Sequence, residues 1–322
     1  MKIIAELCQN HNGSPDILAD MVHAAASAGA THIKIQSIYT ENIAFRPEFE
    51  NGFDSDEVEI IKRPYKPEYD RLKSLELEDG TVRQFIEIVN DAGLIPLTTC
   101  FARSTVKRII NQGFKEIKVA SYDCGSYQLI RELGNKFDHI YISTGASFDN
   151  EIAKTAQILH ADSQPYSFLH CVTIYPTPMD VLNLNRINWL LQFTDNVGFS
   201  DHTDSQNTGI DGTLLAIYSG ANVIERHFTI LERDETRDGP VSINAAQLKE
   251  ISEFALLDQS QQRSVLEDRI KDWDAVMGSE TRQLTKAELA NRHYYRGRFA
   301  SPRPGYEGNP AEMIFNWEET EV

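Results

Sequence analysis

The chain has 322 residues, and 31 Lys and Arg against 48 Asp and Glu leave a formal net charge of −17. That length suits one large domain with an appendage. The charge excludes nucleic acid and anionic membranes as ready partners, but not a small anionic substrate met by a few local cations.

In chain order, short apolar runs that end in a polar or glycine turn predict eight strands, at Ile3–Ala5, Ile33–Ile35, Ile95–Thr98, Ile117–Ala120, Ile140–Ile142, Ser167–Leu169, Val197–Phe199 and Val223–Ile224. Between them, apolar residues recur at helical spacing, as in Ile17, Met21, Ala24, Ala25 and Ala28, or Phe85, Ile88 and Val89. Gly29, Gly93, Gly113 and Gly220 sit where helices should stop in a left-handed turn. Eight β-α repeats in about 250 residues predict a closed parallel TIM (β/α)8 barrel, spanning residues 1–258. An open doubly wound sheet fits less well, because the strands are evenly spread and no Gly-rich phosphate turn follows the first. Residues 48–78 are charged and without a clear strand. They are expected to form a long lid loop after the second strand, with Arg63, Lys66, Arg71 and Lys73 solvated. Residues 259–322 are expected to be a C-terminal helical extension and tail, with Val265, Ile270, Trp273 and Val276 on one helix face. No apolar run approaches the roughly 20 residues of a membrane span. A strand at the very N-terminus leaves no expected signal peptide. Four cysteines outside any CxxC spacing suggest small buried thiols in a reduced cytoplasmic setting, with a thiolate metal site the lesser alternative.

In such a barrel the site is built from strand tips and the loops beyond them. His202 and His227 each end a β-branched run, about one β-α repeat apart, so they can share one divalent metal with positions open to substrate. Two unrelated loop histidines are the plainer alternative. Lys34 and Lys118 lie inside apolar runs, where an ammonium needs an anion, either a buried carboxylate or a substrate phosphate. Thr99, Ser121 and Ser143 at neighbouring tips favour a phosphate cradle. Glu6 on the first tip is a candidate acid-base group or lysine partner. Asp201, next to His202, is expected to orient the metal ligand. Glu225, Arg226, His170 and Ser200 complete the polar tips.

The run Ile4-Ala5-Glu6 followed by Asn10-His11-Asn12-Gly13 resembles the opening signature of the sialic acid synthase family, which includes pseudaminic and legionaminic acid synthases. The resemblance continues through Lys34-Ile35-Gln36, Thr99-Cys100-Phe101, Ile117-Lys118-Val119-Ala120-Ser121, Ser143-Thr144-Gly145, His170-Cys171 with Tyr175-Pro176, Gly198-Phe199-Ser200-Asp201-His202-Thr203 and Ile224-Glu225-Arg226-His227-Phe228. It implies condensation of phosphoenolpyruvate with an amino-sugar aldehyde to a nine-carbon 2-keto acid. The implied cofactor is a divalent metal, Mn2+ with Mg2+ or Co2+ as alternatives, and the implied assembly is a homodimer. By resemblance, His202 and His227 hold the metal. Thr99, Lys118, Ser121, Ser143 and Ser200 hold phosphoenolpyruvate beside Lys34 and Glu225, Glu6 does acid-base work, and Gln36, Tyr175 and Asp238 meet the sugar. Two departures stand out: Cys8 where the family has glycine, and a C-terminus in which Arg296 and Arg298 resemble the lead-in to an antifreeze-like domain that the sequence is expected to lack. Two other functions stay open: a related condensing enzyme acting on a phosphorylated sugar, for which Arg226 is the one basic strand-tip candidate, and a non-catalytic sugar- or partner-binding barrel.

Overall fold

The structure, a computed structural model, describes residues 1–322. Period-2 alternation along its strands decides what faces the barrel axis and what faces the helices. The strands are β1 Lys2–Cys8, β2 His32–Gln36, β3 Ile95–Thr99, β4 Glu116–Val119, β5 His139–Ser143, β6 Tyr166–His170, β7 Val197–Asp201 and β8 Val223–His227. Each pairs in parallel with its sequence neighbours, and β8 closes on β1, giving the expected eight-stranded barrel. One residue parity packs outward into a continuous belt of 55 buried residues that includes Ile3, Ala5, Ile33, Ile117, Ile140, Phe168, Phe199 and Ile224. The other parity fills the axis: Ile4, Leu97, Tyr141, Leu169 and Val223 form a separate plug across the middle of the barrel. Each fully buried aliphatic chain is worth roughly 1.5–3 kcal/mol of transfer free energy, so truncation in either layer should cost about 2–5 kcal/mol.

A helix follows each strand. The first, Pro15–Ser27, starts where the Ser14 hydroxyl accepts from the Ile17 N–H at 3.3 Å and proline fixes the first turn. The glycines predicted as helix stops all adopt positive φ: Gly29 at 92°, Gly93 at 74°, Gly113 at 112° and Gly220 at 99°. No helix is long and apolar enough to cross a membrane.

Two expectations need correction. Residues 48–78 are not a bare loop: they hold a short helix Glu48–Asn51, a two-residue hairpin of Phe53–Asp54 with Glu59–Ile60, and a helix Tyr65–Lys73. Two-residue strands are too short to leave an alternation in sequence. Helical spacing over 259–282 also hides a break. The chain forms Gln259–Arg269 and Trp273–Met277, separated at an extended Ile270, because Asp272 restarts the helix by capping the Ala275 N–H. Beyond lie a helix Lys286–Tyr295 and a hairpin of Ala300–Pro302 with Met313–Phe315.

Candidate active site

Above the apolar plug, the next inward residues of seven of the eight strands are polar. Glu6, Lys34, Thr99, Lys118, Ser143, Ser200 and Glu225 all line one cavity of ≈ 440 Å³ at the C-terminal end of the barrel. One step further out, the same parity brings Cys8, Gln36, His202 and His227 to its wall. Loops add Ser121, Tyr175 and Asp238. The structure thus gathers into one space every residue that the sequence assigns to catalysis, substrate or metal.

The floor is an ionic mesh, buried throughout. Lys34 Nζ contacts Glu6 directly, donates to Thr99 Oγ1 at 3.1 Å and stands 3.9 Å from Glu225. Lys118 Nζ donates to Ser143 Oγ at 2.6 Å and lies 3.5 Å from Glu225 Oε2. Ser200 Oγ donates to the other Glu225 oxygen at 2.9 Å. Glu6 Oε1 accepts from the Cys8 backbone N–H at 2.6 Å. Burial, with Lys118 close by, pulls the Lys34 ammonium down to about 7 against the opposing pull of Glu225. Burial alone would push Glu225 up, but Lys118 and Lys34 overcome it and hold the carboxyl at about 2. Two ammoniums facing two carboxylates solve the burial problem only in part, and Glu225 Oε2 has no hydrogen-bond donor at all.

Next to this mesh lie the donors suited to a metal. Cys8 Sγ, a His227 ring nitrogen and an Asp238 carboxylate oxygen lie within 4.8 Å of one another. Cys8 Sγ is 2.7 Å from Asp238 Oδ2, and His227 Nδ1 is 3.9 Å from it. The His202 ring packs 5.4 Å from that of His227, beside the group of three and not in it, with Tyr175 on its other side at 4.6 Å. Of the expected pair of ligands, His227 has Cys8 and Asp238 as neighbours, and His202 flanks them. The Nδ1 atoms of His202 and His227 are both buried without a partner. Burial, then the charge of His227, pushes His202 down to about 3, and burial lowers His227. Both shifts favour the neutral imidazole, the form that ligates a metal. The donor set fits a divalent first-row metal, since thiolate, imidazole and carboxylate all serve such ions. In the sequence Cys8 stands out as a departure from the family pattern and as one of the four thiols behind the lesser, thiolate-metal alternative. Its inward parity on β1 is the signal that places it here.

The same parity corrects other expectations. Asp201 and Arg226 are each one residue off the inward positions, so both point outward. They are opposed in register on β7 and β8 and pair at 2.6 Å outside the barrel wall. Asp201 also accepts from Thr213 Oγ1 and the Thr203 N–H, so it does not orient His202. Arg226 is fully buried and is not a substrate cation. His170 points outward too, stacking on Phe199 and bonding the Leu182 carbonyl at 2.6 Å.

The mouth of the cavity is closed by segments far apart in sequence. Arg63 and Arg71, expected to be solvated, line it together with Arg237, Asn291, Tyr295 and Arg298. Of the two tail arginines considered from the sequence, Arg298 faces the cavity, while Arg296 is tied to Glu151 at 3.3 Å and lies over Trp317. No periodic pattern announces these residues. The turn before Asp238 is fixed by a close approach, because a Cβ on Gly239 would stand 1.9 Å from the Arg233 carbonyl oxygen. A second cavity, of ≈ 370 Å³, lies behind β5 and β6. Its cations are spoken for, Arg186 by Asp149 and Arg282 by Glu288.

Comparison with known proteins agrees with this geometry. A family model described as the NeuB family matches residues 21–261. The chain is 26% identical over 307 residues to pseudaminic acid synthase of Campylobacter jejuni, which covers 93% of this chain and 81% of that one. It is 27% identical over 301 residues to N,N'-diacetyllegionaminic acid synthase of Legionella pneumophila, covering 91% of this chain and 78% of that one. The fold matches the crystal structure of the N-acetylneuraminic acid synthetase of Leptospira borgpetersenii with a TM-score of 0.68 at 24% identity, over 91% of this chain and 90% of that chain.

Proposed function

The chain belongs to the NeuB family, and from that premise we propose that it condenses phosphoenolpyruvate with an amino-sugar aldehyde to a nine-carbon 2-keto acid, in a metal-dependent reaction that releases phosphate. The observation that carries this reading is the convergence, on one cavity, of two buried lysines, four hydroxyls, two carboxylates and a Cys-His-Asp donor group.

In this reading Lys118, Ser143, Thr99, Ser121 and Ser200 bind the phosphate and carboxylate of phosphoenolpyruvate, with Lys34 beside them. Ammonium and hydroxyl donors suit those oxygens, and in a site away from water they hold charge without reorganising. Gln36 and Tyr175 position the acceptor. The enol π pair of phosphoenolpyruvate forms the new bond to the aldehyde carbon, and the carbonyl pair moves to the aldehyde oxygen, which takes a proton. Water then adds at the former enol carbon, loses a proton, and phosphate departs. Glu6, held by the Cys8 N–H and Lys34, is the group assigned to these proton movements. A divalent metal held by Cys8, His227 and Asp238, with His202 alongside, supplies Lewis-acid polarisation of the aldehyde when bound. We read residues 1–258 as the catalytic barrel and 259–322 as the extension that closes its mouth, in a cytoplasmic homodimer.

The test is phosphate release from phosphoenolpyruvate across a panel of amino-sugars, before and after chelation and with metals restored one at a time. Release that depends on both an amino-sugar and a metal supports the reading. No release with any acceptor under any metal overturns it.

A further inference from the structure

Around the mouth of the cavity four guanidiniums crowd one carboxylate. Glu68, on the helix Tyr65–Lys73, is buried and accepts two hydrogen bonds from Arg71, at 3.1 Å each, and one from Arg298. Arg237 stands 3.7 Å and Arg63 3.9 Å from the same carboxylate. Four positive charges against one negative leave a local excess of about three, in a chain whose overall charge is −17.

No second carboxylate pairs with these arginines; all four salt bridges go to Glu68. Arg237 is half-exposed, and Glu68 is its one charge contact. Arg63 adds a long contact to Tyr295 Oη at 3.5 Å and lies over the Tyr294 ring, 5.1 Å from its centroid. The Nε of Arg298 is buried with no partner. The cluster also has a definite place in the site. Arg237 precedes Asp238, which belongs to the metal-type donor group. Arg71 donates to Gln9 at 2.8 Å, and Gln9 donates to Gln36 at 3.2 Å. All four arginines line the same cavity as Lys118 and His227. Lys34 and Lys118 already supply cations at the floor, so phosphoenolpyruvate does not account for a second, larger group at the mouth.

We propose that the acceptor aldose carries an anion, best a phosphomonoester, at the end remote from its aldehyde, and that Arg237, Arg63, Arg71 and Arg298 hold it. A dianion comes closest to balancing three excess charges, and guanidinium forks match its oxygens. A carboxylate at the same position has the same recognition chemistry with half the charge. This inference rests on the reading of the cavity as a phosphoenolpyruvate-aldose condensing site.

The experiment compares three acceptors with the metal-loaded full chain: a neutral 2-acetamido-aldohexose, its 6-phosphate, and the matching 6-carboxylate. The 6-phosphate is expected to exceed the neutral sugar in kcat/KM by about 10–150-fold, the worth of one charge-assisted contact. Arg237→Gln should collapse that ratio towards one while leaving the KM for phosphoenolpyruvate in place, and Arg237→Lys should restore part of it. A carboxylate that outperforms the phosphate supports the anionic acceptor and assigns its group. A neutral sugar used as well as both anions, or an Arg237→Gln loss equal for all three, overturns the inference. If no aldose consumes phosphoenolpyruvate, the condensing reading has failed, and calorimetry decides the arginine site alone. Tighter binding of the 6-phosphate than of the neutral sugar, lost in Arg237→Gln, sustains the site. Equal binding sinks it.

Discussion

The two ends of the barrel axis carry polar layers of similar make-up and opposite condition. At the N-terminal end, Glu116 accepts from Tyr141 Oη at 2.6 Å and lies 3.2 Å from His32 Nε2; Lys2 donates to Tyr141 Oη at 2.6 Å, and His139 bonds Ser167 at 2.8 Å. None of these side chains is left with a buried unpartnered atom. At the C-terminal end, Glu225 Oε2, His202 Nδ1 and His227 Nδ1 are all buried and unpaired. The apolar plug of Ile4, Leu97, Tyr141, Leu169 and Val223 keeps the two layers apart. A closed network stabilises the fold, whereas an open one holds donors and acceptors ready for a ligand. The difference teaches that burial of charge is not by itself the mark of a site; along the barrel axis it is the layer with unpaired atoms that faces the cavity.

The sharpest way to break this comparison is to make the same substitution at both ends. Glu6→Gln at the open end should lower turnover by about 10²–10⁴-fold with little change in substrate binding. Glu116→Gln at the closed end should leave turnover within a few-fold and lower Tm instead. Steady-state kinetics and thermal melts on the two variants give the answer. If Glu6→Gln is nearly as active as the parent, its role belongs to another group.

A smaller effect is expected at the metal-type cluster. Cys8→Ser should weaken divalent metal binding by at least 10-fold, since it removes the softest donor from the group. In the Co2+-loaded protein it should also abolish the near-ultraviolet sulfur-to-cobalt charge-transfer absorption. An identical spectrum in parent and variant would show that the thiol does not ligate. Smaller again is Lys118→Ala, which should raise the KM for phosphoenolpyruvate by about 10–150-fold, the worth of one charge-assisted contact, and leave the sugar KM close to its starting value. Equal changes in both constants would make Lys118 part of the floor and nothing more.

The barrel is legible in the sequence because each strand leaves a short apolar run and several helices end on a glycine stop. The floor is legible because lysine and glutamate within apolar runs are rare enough to notice. Strand parity carries the rest of the wall. Counting by twos within a strand sets inward Cys8 with Glu6 on β1, separates inward Ser200 and His202 from outward Asp201 on β7, and separates inward Glu225 and His227 from outward Arg226 on β8, because alternate side chains of a strand face opposite sides of the sheet. The arginine mouth is not legible by any local rule. Glu68 and Arg298 meet across 230 residues; Tyr65, Tyr69 and Leu72 recur at helical spacing around Glu68, but that spacing does not tell which distant segment the helix meets. Their charges read as solvated because most charged loop residues are. Only the packing of the helix Tyr65–Lys73 against the C-terminal segment turns them into cavity wall.

The smallest expected effect lies at the closed end and follows from its protonation. Burial would push Glu116 up, but the hydrogen bonds from His32 and Tyr141, with the charges of His32 and Lys2, hold it at about 2 against an ordinary value of 4.5. A carboxyl whose folded value is depressed binds its proton less readily than the unfolded chain does. Its contribution to stability is therefore complete above about pH 4.5 and is lost as the pH falls from there through about 2. The Tm gap between the parent and Glu116→Gln should be widest near neutral pH and close progressively below pH 4.5. Because the carboxyl is partly open to solvent, the gap should be modest, a few degrees at most for a chain of this size. The open end has no matching interaction to lose in this variant, so activity measured over the same range should follow the parent's profile. A gap that stays constant down to pH 3 would mean that Glu116 contributes by packing and not by charge, and the closed network would then owe its stability to its apolar neighbours.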